Sequence, residues 1–220
     1  MRTEIDQLKN LGYKFDDLFD IQDIFENNLS RYTHAPYVAV VDSCTHAVEL
    51  CLRYYQKNNQ LKNITIPKYT YVSIPMCVHN LGLNWTWSDD NWTGWYQFGE
   101  NRVVDAAVSL TSGMYVPGKD MCLSFHSKKP LKIGQGGAIL SDNKNLIDWI
   151  KLVRHDGRDT SIRPWQNQEE YLESGFHYNL SMEDCALGIM LLDKLPKHNL
   201  PWVKDSREGY VDLSTKIKFK

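Results

Sequence analysis

No stretch of the 220 residues stays apolar long enough to cross a bilayer, and the opening segment, Met1-Arg2-Thr3-Glu4-Ile5-Asp6, is too polar for a secretory signal. Neither sign of charge is in excess. Against 27 Asp+Glu stand 25 Lys+Arg, a formal net charge of −2, which gives no electrostatic case for nucleic acid or an anionic membrane as partner. Cysteine is scarce. Cys44, Cys51, Cys77, Cys122 and Cys185 form no CxxC pair and sit inside apolar runs, which argues against a zinc site or a disulfide framework and for buried thiols in a reducing cytoplasm. Internal repeats and low-complexity segments are missing, so solenoid and fibrous architectures are excluded.

What the chain does have is a core. Hydrophobic residues make up 42% and charged residues 24%, ordinary values for one soluble domain or a domain with an appendage. Seven tryptophans and twelve tyrosines are destined for the core or an interface. Short apolar runs alternate with amphipathic stretches, the pattern of an α/β domain with a largely parallel sheet. Strands are expected at Tyr37–Val41, Ile64–Pro67, 83–87, 102–105, 121–125 and 138–141. Helices are expected over most of 5–32, from Thr45 onward, over 71–81, over 143–155 and from Ser181, where Asp184 completes a capping box. Residues 88–100 read as a loop or an unusual crossover. The stretch after Pro196 has weak periodicity, so the expected division is a compact domain over 1–195 and a short tail over 196–220.

Five short segments carry chemistry. The first is Ser124-Phe-His-Ser-Lys-Lys129-Pro-Leu-Lys-Ile-Gly134-Gln-Gly-Gly137, a strand end followed by a lysine and a glycine cluster. Such a lysine is usually solvated, and such glycines usually make a hairpin turn. A P-loop is excluded, because no GK[ST] closes the cluster. The second, Val103-Val104-Asp105-Ala106-Ala107, puts a carboxylate at a strand end, where by itself it would be a helix cap. The third, Asp42-Ser43-Cys44-Thr45-His46-Ala47, joins a strand to a helix. Ser43 or Thr45 suits the N-cap, and the helix start offers free N–H groups to an anion. The fourth is Pro67-Lys-Tyr-Thr-Tyr71 and the fifth Gly175-Phe-His177-Tyr-Asn179-Leu-Ser181.

Together, in this order, the five segments resemble the DegT/DnrJ/StrS family of pyridoxal phosphate-dependent nucleotide-sugar aminotransferases. The first matches the family's S-F-H-x-x-K-x-L-x-x-G-[EQ]-G-G signature at Ser124, Phe125, His126, Lys129, Leu131, Gly134, Gln135, Gly136 and Gly137. The resemblance implies that Lys129 holds the cofactor as a Schiff base and later moves the proton. It implies that Asp105 partners the pyridinium nitrogen and that Tyr71 stacks on the ring. Ser43, Cys44, Thr45, Ser124 and His126 would meet the cofactor, mostly at its phosphate, and His177 would reach the cofactor phosphate of a second copy across a homodimer interface. Val108 stands where the family has Gln or His, His177 where it has Asn, and Asn179 where it has Arg.

The implied fold is a fold-type-I large domain, α/β/α with a mostly parallel sheet. Only about fifteen residues precede the Asp105 strand where the family carries a longer segment, and the small C-terminal domain is largely missing. The implied activity is transfer of an amino group, from glutamate, to a nucleotide-linked keto sugar. A non-catalytic relative serving as a binding or regulatory subunit is the alternative. A sugar dehydratase is disfavoured, because those relatives carry histidine in place of the lysine. Arg154, Arg158, Arg163 and Lys132 could meet a nucleotide diphosphate but read as solvated surface charges.

Overall fold

The computed structural model describes residues 3–171 and 173–218. Met1 and Arg2 of the opening segment, and Phe219 and Lys220 of the expected tail, lie outside the described residues. The expected helix over 5–32 is two helices, α1 (Thr3–Asn10) and α2 (Asp20–Thr33). Gly12, at φ +91°, turns the chain out of α1 in a conformation that side-chain-bearing residues avoid. The order continues β1 (Tyr37–Val41), α3 (Cys44–Lys57), β2 (Ile64–Pro67), α4 (Ser73–Asn80), β3 (Trp85–Ser88), β4 (Tyr96–Gln97), β5 (Val103–Asp105), β6 (Asp120–Ser124) and β7 (Gly137–Ser141). Then come α5 (Lys144–Val153), α6 (Met182–Leu192) and the short α7 (Ser206–Gly209). No helix is long and apolar enough to cross a membrane among the described residues.

Strand alternation builds three layers. Val38, Val40, Val104, Met121, Leu123, Ala138 and Leu140 face a core shared with α1, α2 and α6. Ala39, Val41, Val103, Cys122 and Ile139 face the opposite core, with α3, α4 and α5. α2 presents Ile21, Phe25 and Leu29 at helical spacing, each wholly buried and each contributing about 1.5–3 kcal/mol by leaving water. Gly188 of α6 makes that contact possible, since a Cβ there would lie 2.5 Å from the Phe25 ring.

The five-stranded sheet has the order β1-β7-β6-β5-β4. β5 and β6 are parallel, and β7 is antiparallel to both β6 and β1, so β1, β5 and β6 share one direction. The expectation of a mostly parallel sheet is met by those three strands and departs at β7 and β4, making the sheet mixed. The departure at β4 has a physical cause. Only residues 98–102 join β4 to β5, whereas a parallel return needs a crossover of about a dozen residues. The chain therefore makes a tight antiparallel pair, Tyr96 opposite Asp105, where a loop was expected. β2 and β3 form a separate parallel pair. Asn101 ties this pair to the larger sheet: its Oδ1 accepts from Lys62 N (2.8 Å) and its Nδ2 donates to the Lys62 and Asn63 carbonyls (3.3 Å each).

Arg154 corrects one expectation. It is not a surface charge but is 2% exposed, ion-paired with Glu26 and donating to Val40 O (2.8 Å) and Gln22 Oε1 (2.7 Å). Burying a guanidinium calls for such acceptors; they meet both terminal nitrogens of Arg154 and leave its Nε without one among the described residues. The neighbouring His155 bonds Gln22 as well, and burial pushes its imidazole pKa down to about 3. Arg163 instead pairs with Asp17 (2.9 Å) and Asp20 (3.4 Å) on the surface.

The junction of β1, β6 and β7 is close-packed backbone to backbone. A Cβ on Gly137 would lie 2.6 Å from Cys44 N and 2.7 Å from Leu123 O, backbone atoms that cannot give way. Gly137→Ala is therefore expected to lower stability by about 1–3 kcal/mol, the usual range for overpacking, read as a lower denaturation midpoint at unchanged slope.

Candidate active site

Because β1, β5 and β6 run the same way, their carboxyl ends lie along one edge of the sheet, the place where open α/β sheets bind ligands. Asp105 ends β5 and Ser124 ends β6, while β1 runs through Asp42 into the start of α3. Strand parity orients the side chains. Asp105 shares a face with Val103, and Ser124 with Cys122, both towards α3. β7 enters between these ends, with Gly137 opposite both Ser124 and Val41.

The α3 N-terminus is capped by Ser43, whose Oγ accepts from His46 N (3.1 Å), which decides between the two N-cap candidates. Thr45 is left to bond Ser73 Oγ (2.8 Å), tying the start of α3 to that of α4. The Cys44 thiol donates to the Cys122 carbonyl (3.6 Å), and burial holds its pKa well above the ordinary thiol value. It is a packed neutral group and not a nucleophile.

Lys129 lies on the connection from β6 to β7. Two backbone bonds close the base of that loop, Phe125 N to Gly136 O (2.9 Å) and Gly134 N to Phe125 O (3.0 Å). Gly134 (φ +120°) and Gly136 (φ +116°) adopt a backbone that only glycine takes readily, the physical reason for the glycine cluster. Within the loop Lys129 N donates to His126 O (2.8 Å). Partial burial lowers the pKa of the Lys129 amine, opposed by the nearby negative charge of Asp105. Lys128 beside it is exposed.

Asp105 is 6% exposed and fully engaged. Its Oδ1 accepts from Ala107 N (2.9 Å) and its Oδ2 from the Tyr96 hydroxyl (2.9 Å). Since Tyr96 spends its proton on Asp105, Thr70 is the donor in the 2.7 Å contact between Thr70 Oγ1 and Tyr96. Burial raises the carboxyl pKa, while these donors and Lys129 act against the rise.

The other expected residues are placed as follows. Tyr71 is 61% exposed, two residues before α4. The Ser124 Oγ accepts from His126 N (3.4 Å), and the His126 ring accepts from Lys128 N (3.3 Å) at the surface. His177 is not brought into this cluster. Tyr178 stacks on His46 at 3.6 Å and Phe176 on Tyr178 at 5.0 Å, and His177 between them turns outward to Asp156 (3.1 Å). Residues not foreseen from sequence also line the site. Tyr96 and Thr70 support Asp105, while Trp202 and Tyr210 arrive from beyond Leu195. The density of aromatics between Trp85 and Phe98 was the available signal for Tyr96; Trp202 and Tyr210 had none.

Residues 15–93 and 114–202 match the DegT/DnrJ/EryC1/StrS aminotransferase family. The chain belongs to that family. The unmatched stretch between the two segments contains Asp105, so the case for that residue rests on its position and bonds. Over 77 residues, 35% of this chain, it is 48% identical to a UDP-4-amino-4,6-dideoxy-N-acetyl-beta-L-altrosamine transaminase of Campylobacter jejuni, covering 19% of that relative. The fold is that of sugar aminotransferase CalS13 from Micromonospora echinospora (TM-score 0.69, 14% identity, 88% of this chain and 65% of that one). It is equally that of AtS13 from Actinomadura melliaura (TM-score 0.71, 18% identity, 88% and 65%). The chain thus spans less than two thirds of the length of the relatives it matches.

The raised pKa of Asp105 has a stability consequence. A carboxyl whose folded pKa lies above its unfolded value stabilises the fold below the ordinary value near 3.9, and that contribution is lost as pH rises through the folded value. Asp105→Asn is therefore expected to raise the melting temperature at neutral pH, with the gain vanishing in acid. A lower melting temperature at pH 7 would contradict this account of the carboxyl.

Proposed function

We propose that this domain binds pyridoxal phosphate and serves a sugar aminotransferase, moving an amino group from glutamate to a nucleotide-linked keto sugar. The observation that carries the reading is the pairing of a partly buried amine of lowered pKa, Lys129, with a buried carboxyl, Asp105, at one sheet edge. The donor set fits the cofactor. Its aldehyde suits Lys129, its ring nitrogen suits Asp105, and its phosphate suits the α3 N-terminus at Ser43, Cys44 and Thr45 together with Ser124 and His126. Tyr71 would face the ring. When bound, the cofactor supplies an electron sink for carbanion chemistry.

The chain's own residues do the rest. Burial disfavours the ammonium of Lys129, so more of it is neutral and able to attack near pH 7 than of a free lysine. The same amine, when free, would serve as the base that takes up and returns the proton of the bound substrate's carbon in each half-reaction. Tyr96 and Thr70 hold the Asp105 carboxylate in one orientation. Support for the assembly reading lies in the outward placement of His177, 79% exposed, which suits a residue serving the phosphate of a second copy in a homodimer. In this reading the unit over 1–195 carries the cofactor, and the tail expected over 196–220 packs back onto it through Val203 and Trp202. Five free cysteines accord with the cytoplasm. Retention of Lys129 and Asp105 together favours an enzyme over a binding subunit.

Addition of pyridoxal phosphate to purified protein is expected to produce a visible absorbance band that Lys129→Ala abolishes. The band should form faster as pH rises and level off below the ordinary lysine pKa near 10.4. A band of equal strength in Lys129→Ala would defeat the assignment.

A further inference from the structure

The segment after α6 returns to the site. Trp202 N donates to Val108 O (3.0 Å), just past Asp105, and the Trp202 ring lies with its centroid 5.0 Å from Lys129 Nζ. Val108, where the family's cofactor contact is missing, is thus a buried backbone anchor. Eight residues on, Tyr210 packs beside Trp92 (5.7 Å between ring centroids). Burial chiefly, then the nearby Asp105, raises its phenol pKa, so that Tyr210 stays protonated on the Asp105 side of the site. Between and beyond these rings the segment is pinned. Val203 and Leu213 are buried in and against the core, and Ser206 is wholly buried. The Ser206 Oγ donates to Asn91 Oδ1 (2.8 Å) and accepts from Trp92 N (3.2 Å). Leu213 N donates to Lys68 O (2.9 Å).

Burial is unequal along this segment. Its anchors lie in the core, whereas Trp202 is 52% exposed. Swinging Trp202 aside therefore breaks a ring–amine contact and half of the side chain's burial but leaves Val203 and Ser206 in place. The face of an indole attracts an ammonium and not a neutral amine, so the contact opposes the effect of burial and draws Lys129 towards the form that cannot attack a carbonyl.

We propose that residues 200–213 form a strap over the site, pinned at Val203 and Ser206, with Trp202 holding the amine of Lys129 against its ring, so that an electrophile gains full access to Lys129 when Trp202 swings aside. Trp202 is then a positioning residue and Tyr210 the second cover. The proposal builds on the assignment of Lys129 as the cofactor lysine, but its test does not need the cofactor.

The full-length chain is labelled with limiting sulfo-N-hydroxysuccinimide acetate, and acetylation of Lys129 is read by peptide mass spectrometry relative to exposed Lys128. Trp202→Ala is expected to raise the Lys129-to-Lys128 ratio about 2- to 5-fold, the factor a cation–π contact of this kind controls. Trp202→Phe should stay near wild type. Trp202→Leu keeps the bulk but not the ring face and should behave like Trp202→Ala, which covers the case in which the alanine variant folds poorly by circular dichroism. An unchanged or lower ratio in Trp202→Leu overturns the strap. Uptake of pyridoxal phosphate, followed by absorbance, should quicken in step with labelling. Faster labelling with no uptake in any variant would uphold the strap and sink the cofactor reading. Uptake with no difference in labelling would do the reverse.

Discussion

Burying a carboxyl at the end of a central strand costs free energy unless each oxygen is given a donor. Asp105 receives one from the backbone at Ala107 and one from Tyr96, with Thr70 behind it. Much of the local architecture follows from that requirement. β4 exists as a two-residue strand paired antiparallel to β5, and this register sets Tyr96 directly opposite Asp105. Trp92 and Phe98 pack against Tyr96, at 4.9 and 5.6 Å between ring centroids, and restrict its ring. The residual pKa rise says that the donors do not fully offset burial, leaving Asp105 responsive to a positive charge placed before it.

Lys129 is held by the opposite device. Its backbone sits on a loop clamped at the base by two hydrogen bonds and bent by two glycines of positive φ, while its side chain has no hydrogen-bond partner among the described residues and leans on Trp202. A rigid carboxyl and an amine held only by a ring face, flanking the close-packed Gly137 junction, make an asymmetric pair suited to orienting one end of a ligand and reacting with the other.

Much of this was legible in the sequence, for physical reasons. Strands such as Tyr37–Val41 are short apolar runs bounded by polar residues, and α3, α5 and α6 begin at side chains that cap them, Ser43, Asn143 and Ser181. The spaced signature around Lys129 carried the site, because its glycines are demanded by backbone geometry. The misses are tertiary. Residues 88–100 have no period, and their strand arises only because β5 offers an edge within a five-residue turn. Arg154 looked like any charged residue near a helix end until α2 supplied Glu26 and Gln22 from more than 120 residues away. Trp202 and Tyr210 have meaning only through a return of the chain that no local pattern announces.

The most direct measurement is borohydride reduction of the protein with pyridoxal phosphate, followed by peptide mapping of the mass tag. The account predicts one stoichiometric tag, on Lys129, with Lys128 and Lys132 unmodified. A tag spread over surface lysines, or fixed on Lys128 or Lys132, would contradict it.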